Sequence, residues 1–85
     1  MREQIIIELT PIVRQILKMP ELELTENTGP ENIPDWDSIN NILIMGTVEK
    51  HFRIKFDTKE IMAMENLSDL ISGIELKLQL KKSEQ

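Results

Sequence analysis

The chain has 85 residues, 40% apolar and 29% charged, a composition that supports one small globular domain and is too apolar for wholesale disorder. At this size roughly 60–65% of the unfolded surface can be buried, enough for one modest core and no deep enzyme cavity. Ten basic residues against 15 acidic ones leave a net charge of −5 at pH 7, which argues against a nucleic-acid backbone as partner. The deficit is uneven. Residues 1–49 hold three basic and nine acidic side chains (−6), residues 50–85 hold seven and six (+1), and no lysine or arginine occurs between Met19 and Glu49. One half therefore presents an acidic surface. Cysteine is absent, which removes disulfide scaffolds, cysteine nucleophiles and zinc–thiolate sites. His51 is the sole histidine, so no multi-histidine metal site is expected. No apolar stretch reaches the length of a bilayer span, and the start MREQIIIELT lacks a signal-peptide layout, so the expectation is a monomeric cytoplasmic protein without a membrane partner.

In chain order, the first segment runs from about Glu3 to Leu17, where Ile6, Leu9, Val13 and Ile16 recur at three-to-four spacing and Ile5, Ile12 and Leu17 widen the stripe. Pro11 interrupts it, either kinking one helix or starting a new one after a Thr10 cap; one kinked helix is the favoured reading. Lys18 to Asp37 is a long loop with three prolines and a glycine, expected to be pinned to the core by Leu22, Leu24, Ile33 and Trp36. A second helix is predicted from Asp37-Ser38 to about His51 or Phe52, because Pro34 bars a much earlier start and Asp and Ser are favoured N-caps. Its residues separate into two apolar faces: Ile44, Met45, Val48 and Phe52 on one, and Ile39, Ile42, Leu43 and Gly46 on the other. A wholly buried helix is implausible in so small a protein, so the second face is expected to dock something. Ile54 and Phe56 follow as a buried connector. Asp57-Thr58 caps a short helix through Ile61 or Met62, and Asn66, Ser68 and Asp69 open a last helix carrying Leu67, Leu70, Ile71, Ile74 and Leu78. Gly73 within it costs about 1 kcal/mol relative to alanine. Lys81 to Gln85 is expected to be a frayed tail. No strand pattern appears. The fold class is all-α: a single-domain four-helix bundle over residues 1–85, three longer helices and a short third one.

Ser38 is the sharpest chemical feature. On its own a serine at a helix start is an ordinary N-cap. It could also be a point of covalent attachment, since a phosphodiester there would meet unpaired N–H groups and the positive end of the helix dipole. Asp37 beside it could help hold a divalent cation during such a transfer, or simply cap the helix.

Pro34-Asp35-Trp36-Asp37-Ser38-Ile39, followed by an apolar helix ending Val48-Glu49-Lys50-His51-Phe52-Arg53-Ile54, resembles the acyl carrier protein family, whose signature is Asp-Ser-Leu at the start of the second helix. Phe56-Asp57-Thr58-Lys59-Glu60-Ile61 and Asn66-Leu67-Ser68-Asp69-Leu70 are similar to that family's third and fourth helices, so the likeness covers nearly the whole chain. The resemblance implies that Ser38 carries 4′-phosphopantetheine from coenzyme A, attached by a separate Mg²⁺-dependent phosphopantetheinyl transferase with Asp37 assisting. It implies acyl cargo held as thioesters and presented to acyl-loading, acyl-transfer or condensing enzymes, by a carrier with no catalytic site of its own. It also implies a bundle interior able to shelter an acyl chain, with Ile44, Met45, Val48, Phe52, Phe56, Ile61, Leu67 and Ile71 as candidate lining or plain core. Ile39, Ile42, Leu43, Gly46 and Glu49 are the candidate docking residues.

The departures bear on partner choice. Ile39 stands where the family has leucine. The second helices of fatty-acid carriers are rich in acids, whereas this one offers Glu49, with Asn40, Asn41, Leu43, Lys50 and His51 where acids often lie. The acidic loop (Glu21, Glu23, Glu26, Glu31, Asp35) could substitute in part. Together with Trp36 before Asp37, this points to a specialised rather than a housekeeping fatty-acid pathway. A serine hydrolase built on Ser38 and His51 fails on distance: thirteen residues along one helix is about 20 Å. The competing reading is a non-covalent helical interaction module in which Ser38 is a mere N-cap.

Overall fold

A computed structural model describes residues 1–83. Its described residues form four helices and no strand: α1 Arg2–Leu17, α2 Ser38–Phe52, α3 Thr58–Ala63 and α4 Leu67–Ser83. None is long and apolar enough to cross a membrane. α1 packs against both α2 and α4.

α1 is a single helix that continues through Pro11. Thr10 is no cap; its hydroxyl donates to the Ile6 carbonyl at 2.7 Å, inside the helix. The buried row is Ile5, Leu9, Val13 and Leu17, a strict four-residue spacing, rather than the expected line through Ile6 and Ile16. Those two flank the row and are half-buried against the core. The helix ends on Lys18, whose left-handed backbone (φ 58°) lets its N–H reach the Arg14 carbonyl.

Residues 18–37 are tied down along their length. Ile33 and Trp36 are buried, and Leu22 and Leu24 pack on the core from its edge. Arg14 Nε donates to the Leu22 carbonyl at 2.6 Å. Farther on, the loop meets the start of α4: the Leu67 and Ser68 N–H groups donate to the carbonyls of Thr28 and Glu26 at 2.7 and 2.8 Å. Two of the four N–H groups that every helix leaves unpaired are thus satisfied by the loop, and Asn66 takes the Asp69 N–H on its side chain. The approach is close at Gly29, where an added Cβ would sit 2.9 Å from the Glu65 carbonyl oxygen. Arg2 clamps the same corner. Its guanidinium reaches Glu26 and Glu75, each at 2.6 Å, and the Ser68 and Ser72 hydroxyls at 3.2 Å. This holds α1, the loop and α4 together.

Ile54 and Phe56 are buried as the connector between α2 and α3. α3 starts with a full capping box: Asp57 accepts from the Glu60 N–H at 2.8 Å and Glu60 accepts from the Asp57 N–H at 3.0 Å. Gly73 acquires a reason here. A Cβ on it would lie 2.9 Å from the Phe56 ring, so the glycine forms the seat for that ring. α4 runs to Ser83, so the first three residues of the expected frayed tail are helical, and the Lys81 ammonium donates to the Arg53 carbonyl at 3.0 Å. Glu84 and Gln85 lie outside the described residues.

Candidate functional site

The site is built by the last residues of the loop and the first turn of α2. Pro34 lies in a turn closed by the Trp36 N–H donating to the Ile33 carbonyl at 3.0 Å, and Trp36 is buried with its indole N–H donating to Asn41 Oδ1 at 3.0 Å. The Asn40 side chain donates to the Asp35 carbonyl at 2.8 Å. These two bonds fasten the loop end to the helix it precedes.

Between them, Asp37 is extended (φ −92°, ψ −176°) and its carboxylate accepts the Asn40 N–H at 2.8 Å, while its carbonyl accepts from Asn41 N–H at 2.8 Å. Asp37 is therefore the N-cap. This corrects the alternative in which Ser38 caps the helix: Ser38 is already the first helical residue, and its side chain makes no bond to the helix end. Its side chain is exposed, and among the described residues its hydroxyl has no hydrogen-bond partner. It opens onto a shallow groove of about 310 Å³ walled by Pro30, Trp36, Asp37 and Asn41. Asp37 takes the Asn40 and Asn41 N–H groups, which leaves those of Ser38 and Ile39 without a partner at the positive end of the helix dipole, and the first turn carries no acidic residue beyond the cap. The surroundings suit a phosphodiester. Among the described residues no group of three or more His, Cys, Asp or Glu side chains converges as a metal site.

α2 separates as its pattern predicts. Ile44, Met45 and Val48 are buried at 0–3% exposure, while Ile39, Ile42 and Leu43 stand 52–71% exposed. Gly46 continues the outer strip as an open notch, with nothing within 4 Å of where a Cβ would be. Glu49 does not behave as a free docking acid. It is half-buried and one carboxylate oxygen accepts the Phe56 N–H at 2.8 Å, bracing the connector. His51 lies on the surface and pairs with Glu8 on α1 at 2.7 Å; the Glu8 carboxyl is held below its ordinary value, first by that bond and then by Gln4.

The expected acyl lining is mostly core. Ile44, Val48, Phe56 and Ile71 are buried in the central cluster, and Phe52 and Ile61 pack at its edge. A small cavity of about 60 Å³ lies behind the Ser38 groove, and of the eight candidates Met45 and Leu67 line it. That is room for a few water molecules and not for a long acyl chain. Pro30, Trp36 and Asn41 belong to both groove and cavity, so the Trp36–Asn41 bond stands between them. Asn40 and Asn41 stand where acids are expected, and each instead fastens the loop end to the helix; a buried indole that needs an acceptor is the signal for Asn41.

Neither protein-family models nor curated proteins give a match to the sequence. Among solved structures, the solution NMR structure of a holo acyl carrier protein from Geobacter metallireducens aligns with a TM-score of 0.86 and 31% sequence identity, over 94% of this chain and 92% of that one. The chain belongs to the acyl carrier protein family. It shares that family's all-helical architecture and its role as a carrier.

Proposed function

We propose that this acyl carrier protein holds 4′-phosphopantetheine on Ser38 and presents acyl groups to partner enzymes in a specialised pathway. The carrying observation is the Ser38 hydroxyl: exposed, without a partner, and set on the first residue of α2 by an aspartate that takes the capping work itself. A capping serine would have to give up its hydrogen bond to be modified. Ser38 gives up none. Its oxygen would attack the pantetheine-side phosphorus of coenzyme A in a transferase, losing its proton as the pyrophosphate P–O bond breaks and adenosine 3′,5′-bisphosphate leaves, and the free N–H groups of the first turn would lie near the resulting phosphodiester. Asp37 would keep its cap to Asn40 through one oxygen and offer the other to a cation that accompanies the phosphate.

When bound, the cofactor supplies a terminal thiol for thioester cargo on a flexible tether, which raises the effective concentration of cargo at a docked enzyme without tight binding. The chain's own contribution is presentation. The exposed strip of Ile39, Ile42 and Leu43 runs from Ser38 along α2 and is apolar where fatty-acid carriers are acidic, which favours partners with apolar docking sites, outside housekeeping fatty-acid synthesis.

The test is intact mass after incubation with coenzyme A and a promiscuous phosphopantetheinyl transferase. Wild type gains one phosphopantetheine and Ser38→Ala gains none. Ser38→Ala keeps its fold, because the lost hydroxyl has no partner and alanine favours the helix. Asp37→Ala loads more slowly and loses about 1 kcal/mol of stability with its cap. Wild type left unmodified by several transferases would return the protein to a non-covalent interaction module.

A further inference from the structure

We propose that the end of α2 remote from Ser38 is a docking surface for an acidic protein surface, centred on Arg53; the proposal rests on the carrier reading above and gives its partners a chemistry. Two grooves meet there. One, of about 550 Å³, is bounded by Gly46, Glu49, Lys50, Arg53, Ile54 and Lys55. The other, of about 400 Å³, shares Arg53, Ile54 and Lys55 and adds Lys77, Leu80 and Lys81. The Gly46 notch and the Leu80 side chain add apolar wall to these concave sites.

The positive charge at this end is in excess. Lys50, Arg53 and Lys55 make no ion pair among the described residues. Lys81 donates to a neutral carbonyl, that of Arg53, and keeps its full charge. Two carboxylates lie nearby: Glu60 is paired with Lys77 at 2.9 Å, and Glu49, bonded to the neutral Phe56 N–H, keeps its charge in the first groove, one negative charge against Lys50, Arg53, Lys55 and Lys81. In a chain of net charge −5 this is a cationic pole, and an acidic partner surface complements it.

Arg53 also stands where its side chain is conformationally expensive. It has φ 58° and ψ 49°, a left-handed conformation that costs a non-glycine residue about 1–2 kcal/mol and that glycine adopts freely. Lys18 ends α1 in the same conformation, and a cation at a helix C-terminus interacts favourably with the dipole. Lys18 is therefore the internal control for a purely structural role. The grooves are continuous with the exposed Ile42 and Leu43 through Gly46, so an enzyme engaging Ser38 can follow α2 for about 20 Å and end on the cations. Both grooves are shallow and lie along the path of an enzyme already engaged at Ser38, so a protein surface is the partner that reaches them.

The experiment compares two forms of one promiscuous phosphopantetheinyl transferase, with glutamates or lysines at the same positions on the rim that faces the end of α2. At low salt the glutamate form should load wild type with a KM lower by about ten-fold, the gap closing as salt rises. Lys50→Glu/Arg53→Glu/Lys55→Glu should reverse the preference. Arg53→Gly should retain or raise Tm while losing part of the preference, whereas Lys18→Gly raises Tm and leaves the preference whole. Equal loading by both forms, or better loading by the lysine form, overturns the proposal. So does binding to phosphatidylglycerol vesicles in the absence of any preference between the two forms. No loading by either form, with the chain folded, removes the Ser38 assignment itself and this proposal with it.

Discussion

The two faces of α2 are made of the same kinds of residue and have opposite fates. Ile44, Met45 and Val48 are closed off by α1 and the rest of the core, while Ile39, Ile42 and Leu43, one to five positions away, stand in solvent. Composition alone cannot separate them, because isoleucine is at home on both sides. The difference is angular. At about 100° per residue a helix can present only one stripe to a neighbour, and Pro34 and Asp37 fix where the count begins. The lesson is that the outer strip is a surface the fold does not consume, leading away from a serine whose hydroxyl it also leaves unused.

A charge placed on each face breaks or upholds that comparison with the largest effect available. Ile44→Asp should cost more than about 4 kcal/mol, since it buries an unpaired carboxylate. In so small a domain that abolishes the cooperative thermal transition in circular dichroism. Ile39→Asp should stay within about 0.5 kcal/mol of wild type, helped by a negative charge in the first turn. Leu43→Asp costs at most a little more, through helix propensity. Both outer variants should nonetheless slow loading by the transferase. Loss of the thermal transition in either of them would put the outer strip in the core.

Much of this could be read from the sequence because the signals are local. The start of α2, its two faces, the buried Ile54 and Phe56 and the cap at Asp57 all depend on residues close in sequence. What escaped depends on distance. Arg2 meets Glu75, 73 positions away, and the Thr28 carbonyl receives the Leu67 N–H; no periodicity announces such pairs. The register of α1 escaped for a related reason. Ile5, Ile6, Ile12, Ile16 and Leu17 are all apolar, so only the packing against α2 and α4 could select the Ile5–Leu17 row. Glu49 looked like a docking acid because its spacing put it on the strip, whereas its partner is the backbone of Phe56. The split at the candidate site follows the same line: Ser38 and Asp37 were recognisable from adjacent residues, and the Trp36–Asn41 bond that closes the groove behind them was not.

Two glycines sharpen the comparison at a smaller scale. Gly46, on the outer face of α2, has open space around a would-be Cβ, so Gly46→Ala should stabilise the protein by about 0.5–1 kcal/mol through helix propensity and reduced unfolded-state freedom. Gly73 would gain the same propensity, but its new methyl would meet the buried Phe56 ring at 2.9 Å. Displacing that ring costs about 1–3 kcal/mol, so Gly73→Ala should be neutral to destabilising. Urea midpoints of the two variants decide the matter: a shift in the same direction for both would remove Gly73 as the seat of Phe56.

The smallest effects lie in the acid limb of stability. Glu60 is held below its ordinary value, first by the Asp57 backbone N–H and then by Lys77, and Glu8 first by His51 and then by Gln4. A carboxyl whose folded pKa is depressed binds fewer protons in the folded than in the unfolded state, so its contribution is present above the unfolded value. It is lost as pH falls through the folded one. Both groups sit near the surface, where screening keeps the contribution small. Glu60→Gln should therefore lower the urea midpoint slightly at pH 7, since glutamine can still accept from the Asp57 N–H but loses the pair with Lys77, and should flatten its decline below the ordinary carboxylate range by the same small amount. Glu8→Gln should flatten the same limb, and added salt should erase more of its effect, since the Glu8–His51 pair spans two helices across an exposed surface. An acid limb of unchanged slope in Glu60→Gln would mean that the carboxylate's bond to the start of α3 persists in the unfolded chain, which is possible only for a contact as local as a capping box.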